Sequence, residues 1–408
     1  MGTMLRSLKH RPFALLWSGQ TVSRLGDSLY RIALAWWVVQ KTGSPAVMGA
    51  ILIFSFTPML IFVLIGGLAA DRLPRIRLML ASDVLRGALV IVVALLAALN
   101  VLEVWHLFAA SFVFGFVDAF FQPAYAAIIP ELTPKDLLTS ANSLTSVSGQ
   151  VANIAGPGLG AAIVALGGTP LAFGLDALTF FIAAACVVPI LGLSYSQARQ
   201  NDPAKPRASL WHDLREGLQT VFGSAWLWIT ILLAALINIT ISGPMSVALP
   251  FLVKTDLQMD VSVYGLVASV QAIGLVVGTI LVGRQKRIHH RGWYGYSALM
   301  ISGLMVAMMG MRLGIWAVIP AIFVFGIAIA AFNLIWTNAE QELVPMDKLG
   351  RVFSIDQLGS FVLLPIGYGV AGWLTDRLSA STVFLLGGII TMILIGIGLA
   401  QPDIRHLD

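Results

Sequence analysis

Twelve apolar stretches, each long enough to cross a bilayer as a helix, leave this chain few ways to fold. They fall near 13–40, 46–69, 77–100, 104–128, 137–166 and 170–193, then near 222–254, 263–283, 292–314, 315–340, 349–377 and 382–401. About 20 residues span roughly 30 Å of hydrocarbon as a helix. Backbone groups in lipid must pair internally, and within one segment only the helix does that. Hydrophobic residues make up 58% of the chain and charged residues 11%, against about 25% charged in a soluble domain. Such a chain cannot cover its apolar side chains with a polar shell, so the bilayer is its expected solvent. Several spans are interrupted by proline, at Pro58, Pro123, Pro157, Pro244 and Pro365.

Loop charges predict the orientation. With the N-terminus inside, eighteen Lys and Arg fall on inner segments and four on outer ones (Lys41, Lys254, Arg312 and Arg377). Lys and Arg accumulate on the cytoplasmic side, so both termini are expected there, in a multi-pass plasma membrane protein. The net charge of +5 follows from that bias. No basic cluster lies beside an aromatic platform, so no nucleic-acid partner is expected. Cys186 is the single cysteine, which excludes an intrachain disulfide or a Cys-based zinc site. The basic start MGTMLRSLKHRPF is not followed by a small-residue cleavage site, so no removable signal peptide is expected.

The long polar stretch 194–217 sits midway and reads as a cytoplasmic linker between six-helix bundles at 1–193 and 218–408. The two halves are repeats. Residues 112–143 lie over 323–354 at a constant shift of 211, with twelve identities in thirty-two ungapped positions. Apolar composition accounts for matched Phe and Val, but not for Glu131/Glu342, Pro134/Pro345 and Asp136/Asp347 in the loop. The expected fold is all-α, with twelve transmembrane helices in two pseudo-symmetric six-helix halves around a central cavity.

Charges inside the spans point to a site. Arg24, Asp27 and Arg31 share the first span, where each charge costs roughly 2.5–3.5 kcal/mol near mid-membrane. At 100° per residue they project within about 60° of one another, so both arginines are within ion-pair spacing of Asp27. Asp118 in span four has no basic residue within a turn of its own helix, and its stripe continues to Gln122 and Tyr125. These four charges balance, which suggests one cluster in which protonation of Asp118 frees an arginine. A permanent salt-bridge tetrad that fixes packing is the alternative. Asp83 and Arg86 read as a local i+3 pair nearer the cytoplasm. Asp176 and Asp356 read as isolated acids, lining a cavity or satisfied by packing.

GGLAADRLPRIRLML (66–80), between spans two and three, matches the loop motif of the major facilitator superfamily at Gly67, Asp71, Arg72 and Arg75, with Pro74 where a glycine is usual. A tight turn there would bring Asp71 to a helix N-terminus, whose partial positive charge favours it, and so latch one conformation. Loop 283–295 of the second half is basic but lacks the aspartate. Gly372-Trp-Leu-Thr-Asp376-Arg377 echoes the spacing at an outer helix end and is read as chance. In span five, Gly156, Pro157 and Gly160 resemble the glycine-proline motif of antiporter branches, while close packing alone explains them almost as well. With ASDVLRG at 81–87 and the loops after spans four and ten, the chain resembles the third drug:proton antiporter family of macrolide-efflux and siderophore-exporter type. Span four lacks arginine, so the arginine motif of other drug antiporters is absent.

That resemblance places spans 1, 4, 7 and 10 around the cavity. The shift of 211 then pairs Asp27 with Asn238, Gln122 with Asn333, Tyr125 with Trp336, and Asp118 with Ile329. Ion coupling is expected from the first half, amide and aromatic contacts from the second, with Trp36, Phe121, Tyr125 and Trp336 gripping an amphipathic substrate. The expected function is proton-coupled export of amphipathic small molecules by a monomer without cofactor, metal or enzymatic activity. The alternatives are a dedicated siderophore, lipid or metabolite exporter and, more distantly, a sensor or scaffold on the same fold. No phosphate-binding loop of the G-x-x-x-x-G-K-[ST] type is present.

Overall fold

The computed structural model describes residues 5–192, 210–285, 289–346, 348–405 and 407–408. The described residues are helical apart from short connections. The principal helices are α1 (Arg11–Lys41), α2 (Pro45–Arg72), α3 (Arg75–Ala98), α4 (Val104–Leu132) and α5 (Leu138–Val187) in the first half. In the second half they are α6 (Leu210–Phe222), α7 (Ala225–Asp256), α8 (Val261–Gly283), α9 (Arg291–Gly310), α10 (Ile315–Leu343), α11 (Leu349–Arg377) and α12 (Ala380–Leu399). Helix α5 holds two passes: Gly168 has a φ of 73°, a left-handed conformation that glycine adopts without a Cβ penalty, and Pro170 follows. Nine helical segments among the described residues are long and apolar enough to cross a membrane. The two passes of α5, together with the more polar α1 and α9, make this consistent with twelve crossings. Of the stretch read as a linker, 194–209 lie outside the described residues and 210–217 form the start of α6.

Proline and π turns shape α7. Asn238–Ser242, Pro244–Ala248 and Leu252–Asp256 each wind with five-residue hydrogen bonding, an arrangement that marks functional helices. Pro244 and Pro250 supply no amide hydrogen there, so the chain widens rather than continues as a regular helix.

The chain packs as two compact units. Unit 1 comprises Met1–Thr42, Ala50–Pro203 and Val261–Ser269; unit 2 comprises Gly43–Gly49, Ala204–Asp260 and Val270–Asp408. In unit 1, α1 lies along α5 on a stripe of small residues. A Cβ on Gly156 would come within 2.4 Å of Ser28 Cβ, and one on Gly160 within 3.2 Å of Leu29 Cα. Pro157 and Gly158 of the same motif face α8: a Cβ on Gly265 would meet the Pro157 carbonyl at 2.7 Å, and the Gly158 amide donates to Ser269 Oγ at 3.1 Å. The glycine-proline segment is therefore the meeting place of α1, α5 and α8.

Helices α2 and α4 approach more closely still, since a Cβ on Gly115 would lie 1.8 Å from the Ser55 carbonyl oxygen and one on Gly66 1.9 Å from that of Ala119. Backbone cannot yield as a flexible side chain does, so Gly115→Ala must push the helices apart. Overpacking of this kind costs about 1–3 kcal/mol, and a lowered thermal midpoint in detergent is the expected result; an unchanged midpoint would show that the contact relaxes freely.

In unit 2, Asp376 has a definite partner. Its carboxylate accepts hydrogen bonds from Ser44 Oγ (3.0 Å) and the Ala46 amide (3.1 Å) at the first turn of α2. Free amides and the helix dipole make that turn a favourable place for a carboxylate. Gly372 and Gly49 allow the approach, each lacking a Cβ that would strike backbone of the facing segment within 3 Å. Asp256 serves α12 in the same manner, accepting from the Ser381 amide at 2.7 Å and from its hydroxyl.

Candidate functional site

Among the described residues each unit has a cavity with polar groups in its wall, and the two are lined by repeat-equivalent residues. The unit 1 cavity, about 360 Å³, is lined from α1 by Arg24, Asp27 and Arg31, from α3 by Arg86, and from α4 by Asp118, Phe121, Gln122 and Tyr125. The unit 2 cavity, about 480 Å³, is lined from α7 by Asn238 and Ser242 and from α10 by Ile329, Phe332, Asn333 and Trp336. At the shift of 211 read from the sequence, Asp27 corresponds to Asn238, Arg31 to Ser242, Asp118 to Ile329, Phe121 to Phe332, Gln122 to Asn333 and Tyr125 to Trp336. Residue pairs matched along the chain thus occupy matched positions in space. Trp36, also expected to contact substrate, is buried and belongs to neither of these two linings.

The charged residues of unit 1 pair differently from the expectation. Asp118 Oδ1 accepts from Arg86 Nη1 at 3.2 Å, and Arg86 Nη2 reaches Asp83 Oδ1 at 2.8 Å. The i+3 pair foreseen within α3 is present, but its arginine also serves Asp118 across the helix interface. Asp83 is fully buried, and Gln20 Nε2 donates to its second oxygen at 3.0 Å. The Asp118 side chain is 30% exposed, towards the cavity. The Arg86 guanidinium is further held against the rings of Phe121 (4.0 Å) and Phe180 (4.8 Å).

The arginines of α1 do not clasp Asp27. Arg24 donates to the Thr145 carbonyl at 3.2 Å and lies over the Tyr125 ring at 5.1 Å, while Arg31 donates to Ser28 Oγ at 2.9 Å. Asp27 makes no hydrogen bond or close ion pair among the described residues, and sits in the field of Arg86, Arg31 and Arg24. Arg24, Arg31 and Arg86 face Asp27, Asp83 and Asp118 once the third span is included, and Asp176 of α5 adds a fourth acid in the field of Asp27, Arg86 and Arg31. That link was open to elimination. Outside α1, Arg86 is the arginine lying deep in an apolar span rather than at a helix end, and Asp118 needed a cation from another helix. Asp176 is fully buried beside Gly26, with Oδ1 near Thr179 Oγ1 at 3.4 Å.

In unit 2, Asn238 is largely committed to structure: its Nδ2 donates to the Ser360 carbonyl and its Oδ1 accepts from Ser242 Oγ, both at 2.8 Å. Trp336 lies edge-on to Trp226 at 5.4 Å and stacks with Phe332 at 6.3 Å. Two acids complete the lining, Asp356, which accepts from Ser360 Oγ at 3.3 Å, and Glu340. Glu340 escaped the sequence reading because it sits close to the loop after span ten. Its position four residues after Trp336, and hence on the same helix face, was the available signal.

The loop motif forms a knot at the ends of three helices. Arg75 Nη1 reaches Glu131 Oε2 at 3.0 Å and the Ala127 carbonyl at 3.3 Å, its Nε reaches the Ala70 carbonyl at 3.1 Å, and Asp71 Oδ1 lies 3.7 Å from Nη2. Asp71 is thus placed against the first residue of α3. Gly67 has open space around it, and Arg72 is exposed. The second half repeats the device without the aspartate, through Arg291 and Glu342, the latter being the equivalent of Glu131. Asp347, the counterpart of Asp136, lies outside the described residues.

Comparison with known proteins agrees with this arrangement. The chain is 23% identical over 403 residues to macrolide efflux protein A of Streptococcus pyogenes, covering 97% of each chain. It is 23% identical over 415 residues to the multidrug efflux pump Tap of Mycolicibacterium fortuitum, covering 99% of each. Among solved structures, the nucleoside transporter NupG shares the fold with a TM-score of 0.74 at 12% identity, covering 95% of this chain and 98% of that one. A bacterial homologue of the iron transporter ferroportin aligns with a TM-score of 0.67 at 16% identity, covering 96% and 99%. The family model described as Major Facilitator Superfamily matches residues 16–355 and 231–403, and the chain belongs to that superfamily.

Proposed function

We propose that this chain is a proton-driven exporter of amphipathic small molecules, working as a monomer by alternating access in the plasma membrane with both termini cytoplasmic. The observation that carries the reading is the Asp83–Arg86–Asp118 bridge at the wall of the unit 1 cavity. Arg86 has one permanent partner, the fully buried Asp83, and one partner open to the cavity, Asp118. A proton on Asp118 removes one of the two carboxylates that hold the guanidinium. Arg86 is then attracted to Asp27, which lies in its field without a close partner. Protonation at the cavity wall thereby becomes a change in the pairing of α1, α3 and α4, a local electrostatic switch on packed elements.

The aromatic faces of Phe121, Tyr125, Phe332 and Trp336 suit large apolar bodies, and the amides of Gln122 and Asn333 suit their polar edges. The names of the relatives, macrolide efflux protein A and multidrug efflux pump Tap, support drugs as the substrate class. Glu131–Arg75 and Glu342–Arg291 serve in this reading as paired ties that set the helix ends of each repeat during the cycle. The test is transport in proteoliposomes. A macrolide or a fluorescent amphipathic dye should move against its gradient when a pH gradient is imposed, and should cease to do so when an ionophore collapses that gradient. Failure to move any such compound under any gradient would contradict export and favour a sensor or scaffold.

A further inference from the structure

The unit 2 cavity has carboxylates where unit 1 has a built-in cation. In unit 1, Arg24 extends over Tyr125 and bonds the Thr145 carbonyl. Moved along by 211 residues, Arg24 becomes Ala235, Tyr125 becomes Trp336, and Thr145 becomes Asp356. The guanidinium is lost, the aromatic platform is kept and enlarged, and an acid stands at the position whose carbonyl held the cation. Among the described residues no Lys, Arg or His lines the unit 2 cavity, whereas three arginines line that of unit 1. The cavity lacking the arginine is also the larger, about 480 against 360 Å³.

Glu340 supplies the independent sign of a missing partner. It lines this cavity from α10, is 1% exposed, and neither carboxyl oxygen has a hydrogen-bond partner among the described residues. Burying such a group without a counter-charge or hydrogen bond is costly. Asp356 on α11 also lines the cavity and is 4% exposed. The polar neighbours contributed by the other helices are uncharged. Ser360 and Trp336 hydrogen-bond Asp356, Thr230 of α7 shares a hydrogen bond with Tyr296 of α9 at 2.8 Å, and Gln271 comes from α8.

We propose that Glu340 and Asp356 form a cation subsite that takes the protonated amine or guanidinium head of an amphipathic ligand, seated over Trp336 as Arg24 is seated over Tyr125. The inference rests on the exporter reading for the identity of the ligand, but the subsite itself is a property of binding. Coulomb attraction from two carboxylates selects the charge, and the indole face adds a cation–π contact. Uncharged molecules of the same shape forgo both. The two cavities would then divide the work, with protons handled at Asp118 and ligand charge at Glu340.

The experiment is equilibrium dialysis of the purified full-length protein in nanodiscs. The probes are 2-naphthylmethyl-trimethylammonium and its uncharged isostere, in which the quaternary nitrogen is replaced by carbon. The wild type is expected to prefer the cation by at least about tenfold. Glu340→Gln and Asp356→Asn should each erase most of that preference, and a thermal unfolding transition within a few degrees of the wild type reports that each variant is folded. A second measurement needs no variant: the cation, but not the isostere, should protect Glu340 of the wild type from carbodiimide modification read by mass spectrometry. A wild type indifferent to charge, a preference retained in Glu340→Gln, or modification unaffected by the cation would each overturn the subsite. Preserved cation preference without pH-driven transport would instead overturn the exporter reading and leave the subsite standing.

Discussion

Replacing Asp118 by asparagine is expected to reduce pH-gradient-driven transport by at least about tenfold, equivalent to some 1.4 kcal/mol of lost coupling, while the protein stays folded. The amide is close in size to the carboxyl, and its oxygen can still accept from Arg86 Nη1, which now lies 3.2 Å from Asp118. Arg86 also keeps its 2.8 Å bridge to Asp83. What asparagine cannot do is gain or lose a proton at the cavity wall. Downhill exchange of substrate across the membrane should therefore persist, because it needs no proton cycle. Retention of uphill transport in Asp118→Asn would move the coupling site elsewhere, with Asp27 next in line because it faces the same cavity.

The second large effect concerns stability. Arg86→Gln should destabilise the protein by about 3–5 kcal/mol, the usual cost of leaving a buried charge without its partner. Asp83 is fully buried and would retain only the Gln20 amide, while Asp118 would lose its cation. The contacts of the guanidinium with Phe121 and Phe180 would go as well. Thermal unfolding in detergent is the readout. The double variant Arg86→Gln/Asp83→Asn should recover a large part of the loss, because it removes the orphaned charge along with its partner. A single variant as stable as wild type would show that the bridge contributes little, and a double variant no better than the single would place the loss in the aromatic contacts.

Much of this architecture is legible in the sequence because membrane solvation imposes strong, local rules. Apolar length gives the helices, and a constant shift of 211 gives the repeat. The same shift pairs residues, Gln122 with Asn333 and Tyr125 with Trp336, that occupy equivalent cavities in the structure. What the sequence conceals are contacts between helices. Arg86 sits three residues after an acid on its own helix, so the local pair is evident and the second pair with Asp118 is not. Arg24 and Arg31 have the helical spacing to hold Asp27, but their side chains find the Thr145 carbonyl and Ser28 instead. Trp36 is as aromatic as Trp336, yet it is buried and lines neither of the two cavities described. The partners of Asp376, Ser44 and Ala46, lie more than three hundred residues away and could not be foreseen. Glu340 was hidden by its closeness to a loop, and its burial depends on how α10, α7 and α11 surround it.

The central claim is that Asp118 gives up its proton in exchange for its bond to Arg86 when substrate occupies the cavity. Proton release on ligand addition, followed with a pH indicator in weakly buffered protein solution, tests it most directly. The wild type should show a change in bound protons that saturates together with ligand binding, and Asp118→Asn should bind ligand with no such change. An identical proton signal from both proteins would contradict the account.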